Sequence, residues 1–260
     1  MSASGSVQPA PQPVSPGSPT IARVITVATW NVLHRVHAEN WYEDVATRWP
    51  DEGARIAAIT ARVAERTERI IALQEVSGDQ LASLRMALPD RTFHAMRYQR
   101  LPTPRRMPSS LLDGGEYLVV LTAEPSRELA AESFAHDHGK GALVVDAGEL
   151  TVIATHVTGD RRRTDQLSRL AELASDAPAP AAVLLGDFNT DRASVAAELG
   201  DDFVVAECAA GSLPTRPRSS GAKSQYIDHV VVHGASVTGA SVDDVGGVSD
   251  HNLVHAAVTV

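Results

Sequence analysis

What most constrains this chain is a recurrent pattern. Short apolar runs rich in β-branched residues end, again and again, on a side chain able to bind a cation or move a proton. VATW ends at Asn31, IIALQ at Glu75, VIAT at His156, VLLG at Asp187 with Asn189 just beyond, QYI at Asp228 and His229, and GGVS at Asp250 and His251. Runs this short, bounded by Gly, Asp and Asn, read as buried strands rather than helices. If such strands lie side by side and end on one rim of a sheet, their terminal polar residues converge there.

The pattern predicts strands at Arg23–Trp30, Ile70–Leu73, Glu116–Thr122, Gly141–Ala147, Leu150–Thr155, Ala181–Leu185, Tyr226–Val232, Ala235–Val242 and Leu253–Val260. Gly148 and Glu149 read as a hairpin turn between two of them. Helices are expected at Asp51–Thr67, where Ile56, Ile59 and Val63 recur at helical spacing behind a capping Asp51, and at Asp79–Leu88 and Arg163–Ser175. Between Tyr98 and Gly115 runs a long loop rich in Pro, Arg and Ser, the kind of segment that often carries function. Many strands with few interspersed helices favour a sheet-on-sheet core with helices outside. No residue-level repeat, dinucleotide-binding glycine loop or P-loop is present.

The residue types at the run ends suit phosphoester hydrolysis. Carboxylates and amides hold a hard cation such as Mg²⁺ through oxygen. Such a cation neutralises phosphate charge and acidifies water, and a His–Asp pair orients and polarises an acid or base. Singly, each motif is also consistent with a plain turn, a helix cap or a satisfied buried histidine. Their order is more informative. The set T-W-N-V (Thr29–Val32), L-Q-E-V (Leu73–Val76), T-H-V (Thr155–Val157), G-D-F-N (Gly186–Asn189), Y-I-D-H (Tyr226–His229) and S-D-H (Ser249–His251) resembles the endonuclease/exonuclease/phosphatase superfamily from about Ile21 to Val260. The stretch around Asn31–Leu33 and Arg55, and the R-x-x-Q of Arg163–Gln166, are similar to its deadenylase branch.

The resemblance implies a four-layer α/β-sandwich, two mixed β-sheets packed face to face with helices outside. It implies roles as well. Glu75 and Asn31, with Asp250, would form the metal site for Mg²⁺ or Mn²⁺. His156, Asp187, Asn189, Asp228 and His251 would be catalytic, with Asp187 orienting water, Asn189 and His251 on the phosphate, and Asp228 pairing with a histidine. Glu116 stands where some family nucleases place an acid that supports the counterpart of His156.

Charge narrows the substrate. The formal net charge is −9, which gives little overall attraction for a polyanion, so an extended duplex footprint is not expected. Arginine is local: Arg97, Arg100, Arg105 and Arg106 in the long loop, and Arg161 to Arg163 after His156. From these, Arg105, Arg106 and Arg163 are expected to bind substrate. Trp41 and Trp49 are read as packing residues, although an exposed one offers a base a stacking surface. His34 and His37 are read as exposed loop residues. The reading that results is a nuclease or nucleotide phosphodiesterase/phosphatase acting on RNA or DNA ends. Its rivals are a phosphatase or phospholipase C-type hydrolase of an inositol phosphate or sphingomyelin-like molecule, and an inactive binding module. The last would have lost Glu75, Asp187 or His251, and all three are present.

Residues 1–20, dominated by Ser, Pro, Gly and Gln, are expected to be a disordered polar tail before a domain over residues 21–260. The tail lacks the basic and apolar regions of a secretory signal, and no apolar run is long enough to span a bilayer. A cytoplasmic protein is therefore expected, and the family resemblance implies a monomer. The lone Cys208 can form no intrachain disulfide.

Overall fold

The computed structural model describes residues 22–41, 44–105, 109–218 and 223–260. The expected polar tail and Arg106 lie outside these residues. In chain order the strands are β1 (Val24–Asn31), β2 (Ile70–Ser77), β3 (Thr92–Arg97), β4 (Glu116–Thr122), β5 (Arg127–Phe134), β6 (Asp137–Asp146), β7 (Thr151–His156), β8 (Ala182–Asp187), β9 (Phe203–Val205), β10 (Asp228–His233), β11 (Ser236–Asp243) and β12 (Leu253–Thr259). The helices are α1 (Arg35–Asn40), α2 (Asp44–Arg48), α3 (Glu52–Ala64), α4 (Gly78–Ala87), α5 (Arg163–Ser175) and α6 (Arg192–Leu199).

Two six-stranded sheets result, ordered β11-β12-β1-β2-β4-β3 and β5-β6-β7-β8-β10-β9. Each is mixed: β1 and β2 are parallel, β7 and β8 are parallel, and the remaining pairs are antiparallel. Strand alternation assigns each face its partner. Ile25, Val27, Ile70 and Ala72 face the other sheet, where they meet Val152, Ala154, Val183 and Leu185. The intervening Ala28, Trp30, Ile71 and Leu73 pack beneath Ile59 and Val63 of α3 and Leu81 and Leu84 of α4. On the far side, Ile153, Leu184 and Val231 pack against Leu167 and Leu170 of α5 and Val195 of α6. The architecture is the four-layer α/β-sandwich that the motif order implied.

The three expected helices are present, and Asp51 caps α3 by accepting a hydrogen bond from Ala54 N at 3.2 Å. The hairpin at Gly148 is present too, with Ala147 N donating to Leu150 O at 3.1 Å. Unforeseen elements include β3, β5 and β9. β3 and β5 are sheet edges, and the eight residues of β5 (RELAAESF) bury only Phe134, so they display no apolar run. Among the described residues, no helix is long and apolar enough to cross a membrane.

Candidate active site

Strand register assembles half of the site. His156 closes β7 directly opposite Asp187 on the parallel β8. On the other side of Asp187, the antiparallel β10 begins at Asp228. The three run-end residues are thus neighbours across one rim. Gly186 makes this closeness feasible: a Cβ there would fall 2.1 Å from the carbonyl oxygen of Thr155, its cross-strand partner.

The other sheet contributes through an irregularity. The pairing of β2 with β4 shifts between Leu73 and Val76, and Glu75 takes a left-handed φ of 56°. A non-glycine residue held there has its side chain re-aimed by the bulge. Glu75 reaches Asn31 at the end of β1, whose Nδ2 donates to Glu75 Oε1 and to Asp187 Oδ2, both at 3.1 Å. Asn31 therefore ties the two sheets together at the site. The S-D-H turn is fastened to the same place. Ser249 Oγ donates to the Asn31 carbonyl at 2.7 Å and accepts from His251 N at 3.1 Å, while Trp30 Nε1 donates to the His251 carbonyl at 2.9 Å. Arg55 clamps the loop after β1, donating to the carbonyls of Val32, Leu33 and Val248 at 2.9, 2.8 and 3.0 Å. Its resemblance to a branch motif thus reflects a buried support.

Of these residues, Leu33, Glu75, His156, Asp187 and His251 line a cavity of about 440 Å³, with Asn31 and Asp228 behind its wall. His251 Nδ1 lies 2.9 and 3.0 Å from the two oxygens of Asp228, which leaves its Nε2 3.8 Å from Asp187. Burial disfavours a charged His251, but Asp228, Asp250 and Asp187 outweigh it and push the imidazole up to about 10. His156 Nε2 is 3.4 Å from Asp187 and 3.9 Å from Glu75. Burial opposes ionisation of both carboxylates. His37, His156 and Lys140 nevertheless hold Glu75 below the usual carboxylate range, and His251, His156 and Lys140 do the same for Asp187. Asn189 also has a positive φ, 50°. Its amide nitrogen donates to the Val157 carbonyl at 2.9 Å, and its backbone N–H donates to Asp187 Oδ1 at 2.8 Å.

Several expectations need correction. Glu116 does not support His156; its Oε2 lies 2.9 Å from His37 Nε2. His37 therefore belongs to the cavity wall and is no exposed loop residue. Burial lowers its pKa, but Glu75 and Glu116 together raise it. His34 is buried as well and caps α1 through Nδ1, which accepts from Val36 N at 3.3 Å. Arg163 is drawn away from the cavity to Glu198 on α6, at 2.8 Å. Arg105 stays at the rim, its guanidinium 4.8 Å from the centroid of the Trp41 ring. Asp250 is engaged by Arg216, whose Nε and Nη2 lie 2.9 and 2.7 Å from Asp250 Oδ2. Its Oδ1 is buried without a hydrogen-bond partner.

Lys140 is the main residue that the motifs missed. It lies on β6 beside Gly141, the cross-strand partner of His156, and its Nζ contacts His156 Nε2. Burial lowers its pKa, against Glu75, Asp187 and Glu116, which raise it. One signal was available: basic residues in this chain are nearly all arginine, with lysine only at Lys140 and Lys223.

No curated protein sequence matches the chain. Among solved structures, a Bacteroides vulgatus endonuclease/exonuclease/phosphatase is similar with a TM-score of 0.66 at 17% identity, covering 91% of this chain and 98% of that one. D. rerio TDP2, complexed with a single-strand DNA product, is similar with a TM-score of 0.65 at 15% identity, covering 90% of this chain and 98% of that one. ANGEL2, a 2′,3′-cyclic phosphatase in complex with adenosine-2′,3′-vanadate, gives a TM-score of 0.63 at 13% identity, covering 92% and 96%. At such identities the likeness is one of fold. The family itself is shown by sequence: the model of the Endonuclease/Exonuclease/phosphatase family matches residues 28–251, from the strand carrying Asn31 to His251. This chain belongs to that family of divalent-metal-dependent phosphoester hydrolases.

Proposed function

We propose that residues from about 21 to 260 act as one catalytic domain that hydrolyses a phosphoester at the end of a short or single-stranded nucleic acid, with Mg²⁺ or Mn²⁺ as its cation. The observation that carries this reading is one contact set: Asn31 bridges Glu75 and Asp187 at 3.1 Å each, beside a His251–Asp228 pair at 2.9 Å. The donors fit a hard cation. They are carboxylate oxygens with no thiolate among them, beside the Asn31 amide, whose Oδ1 accepts from Leu33 N at 3.0 Å, and the unpartnered, buried Oδ1 of Asp250 is a further oxygen in the same cavity wall. Glu75 and Asn31 would hold the cation, with Asp250 near it. When bound, it would offset phosphate charge and acidify water.

The remaining chemistry belongs to the side chains. Asp187, kept ionised, orients the attacking water and takes its proton. Asp228 fixes His251 through Nδ1, so that the protonated imidazole presents Nε2–H to a phosphate oxygen. Asn189 sits across from it, next to His156. Water oxygen bonds to phosphorus as its proton passes to Asp187, the ester P–O bond breaks, and the departing oxygen takes up a proton from solvent at the open cavity mouth. Lys140, whose Nζ contacts His156 Nε2, places a further hydrogen-bond donor beside the reacting phosphate. Arg100 and Arg218 on the cavity wall supply the local attraction that the net charge of −9 withholds. TDP2 with its single-strand DNA product and ANGEL2 with its adenosine-2′,3′-vanadate support a nucleic-acid end over an inositol phosphate.

The test is turnover of single-stranded DNA and RNA with defined ends, duplex DNA, an inositol polyphosphate and sphingomyelin, each with and without Mg²⁺ or Mn²⁺. Cation-dependent cleavage of the single-stranded ends, lost in Glu75→Gln and His251→Ala, is expected. Turnover confined to the inositol phosphate or the lipid would overturn the assignment to nucleic acid. A folded protein that binds no divalent cation would remove the metal site.

A further inference from the structure

Trp41 separates two cavities. It lines the catalytic one, and it also lines a second cavity of about 470 Å³ on its other side. The two share Trp41, Arg218 and Asp250 as a common wall, so they adjoin each other. Trp41 is 62% exposed, whereas Trp30 is fully buried and Trp49 packs against the core. An exposed indole at the mouth of a polar cavity loses hydrophobic stabilisation unless something covers it.

Its position is nevertheless fixed. Trp41 ends α1, with its backbone N–H donating to His37 O at 3.0 Å. Asn40, one residue earlier, grips the long loop: its Nδ2 donates to Thr103 O and its Oδ1 accepts from Arg105 N, both at 3.0 Å. That grip sets the Arg105 guanidinium over the ring at 4.8 Å. The second cavity is walled on one side by Leu213, Pro214 and Pro217, and bordered by Arg48, Asp44 and Asp244. Flat apolar surfaces with charged edges suit an aromatic ring that carries polar edges and a nearby phosphate.

We propose that Trp41 is a base-stacking platform, and that the adjoining cavity takes the nucleobase next to the scissile phosphate. The proposal rests on the nucleic-acid reading above and makes it specific: the enzyme recognises a base, not only a phosphate. Stacking of a base on an aromatic side chain is tolerant of sequence, so the subsite discriminates nucleotides from inositol or lipid phosphoesters without selecting one base.

The experiment compares 5′-phosphorylated tetrathymidylate with two versions lacking the base at the 5′ or the 3′ terminal residue. Full-length protein carrying Glu75→Gln, as a silent background, is titrated by tryptophan fluorescence and by anisotropy of a labelled oligomer. The effects of Trp41→Ala and Trp41→Phe on kcat/KM are measured in the otherwise native chain, with Tm as a check on folding. Quenching by tetrathymidylate is expected to vanish in Trp41→Phe while anisotropy still reports binding. Trp41→Ala should weaken tetrathymidylate about tenfold or more, raising KM more than it lowers kcat, and should change one base-free version less than twofold. Trp41→Phe should retain most of the affinity. Equal binding of all three oligomers, or an equal loss on all three in Trp41→Ala, overturns the platform. If the native chain hydrolyses none of the oligomers yet keeps base-dependent binding, the proposed reaction fails and the platform stands. If all three are cleaved alike whatever stands at position 41, the reaction stands and the platform fails.

Discussion

The run from β1 to β4 and the run from β7 to β10 follow the same plan. Each is strand, helix, parallel strand, helix, then two antiparallel strands, arranged as β1-β2-β4-β3 in one sheet and β7-β8-β10-β9 in the other. The short helices α1 and α2 are additions to the first run. The site residues fall on equivalent places. Asn31 and His156 end the first strand of each half, Glu75 and Asp187 lie on or at the end of the second, and Glu116 and Asp228 open the last to be threaded. His251 and Lys140 have only a loose correspondence: His251 precedes β12, which flanks β1, whereas Lys140 lies within β6, which flanks β7. No residue-level repeat accompanies this, so the halves share a backbone plan and differ in chemistry. In the second half plain register aligns His156, Asp187 and Asp228. In the first, a bulge and a left-handed Glu75 turn the carboxylate toward Asn31. On the roles proposed above, a backbone plan used twice would give one half a water-activating carboxylate and the other a cation-binding one.

The sharpest way to break this comparison is to neutralise the two equivalent carboxylates. Glu75→Gln and Asp187→Asn should each lower kcat/KM by about 10³-fold or more. Only Glu75→Gln should also weaken Mn²⁺ binding, read by calorimetry. Equal cation affinities in the two variants would make the halves interchangeable.

Next come the two cations. His251→Ala should cost roughly 10²- to 10³-fold in kcat/KM, comparable with loss of a donor to a developing charge. Lys140→Met should cost less, about tenfold, because Arg100 and Arg218 remain as cations on the cavity wall. A larger loss in Lys140→Met would reverse the order of the halves.

The two strand-opening acids differ in partner and so in pH behaviour. Despite burial, Asp228, Asp250 and Asp187 hold His251 up to about 10. The charged form, which on the proposed role binds phosphate, is present below that value and is lost as pH rises through it. Asp228→Asn removes the strongest raising partner, so the alkaline limb of the kcat/KM profile should move to lower pH. Glu116→Gln, which faces His37, should leave that limb in place. A profile unmoved by Asp228→Asn would remove His251 as the phosphate donor.

The smallest effect concerns packing alone. In Gly186→Ala the new methyl would fall 2.1 Å from the Thr155 carbonyl, so β7 and β8 must part slightly. A loss of about 1–3 kcal/mol is expected, read as a lower Tm and a lower urea midpoint. An unchanged Tm would show that register here tolerates a side chain.

The sequence alone determined the strands that carry the chemistry and the residues at their ends. β-branched apolar runs are local signals, and the polar residue that stops each run is visible beside it. Asn31, His156 and Asp187 end their strands as read, whereas Glu75 lies within β2, Asp228 opens β10 instead of ending a run, and GGVS before Asp250 and His251 forms no strand. The edge strands β3 and β5 were not legible, since they bury too little to show alternation. Partners were beyond reach for a different reason: they depend on which strands pair and in what register, a property of residues far apart in the chain. That is why Glu116 meets His37 rather than His156, and why Arg163 turns to Glu198. It is also why Asp250 is held by Arg216 and why Lys140, outside every motif, enters the site. The bulge that aims Glu75 arises only where β2 pairs with β4, so the direction of the first half's key carboxylate was decided by tertiary structure.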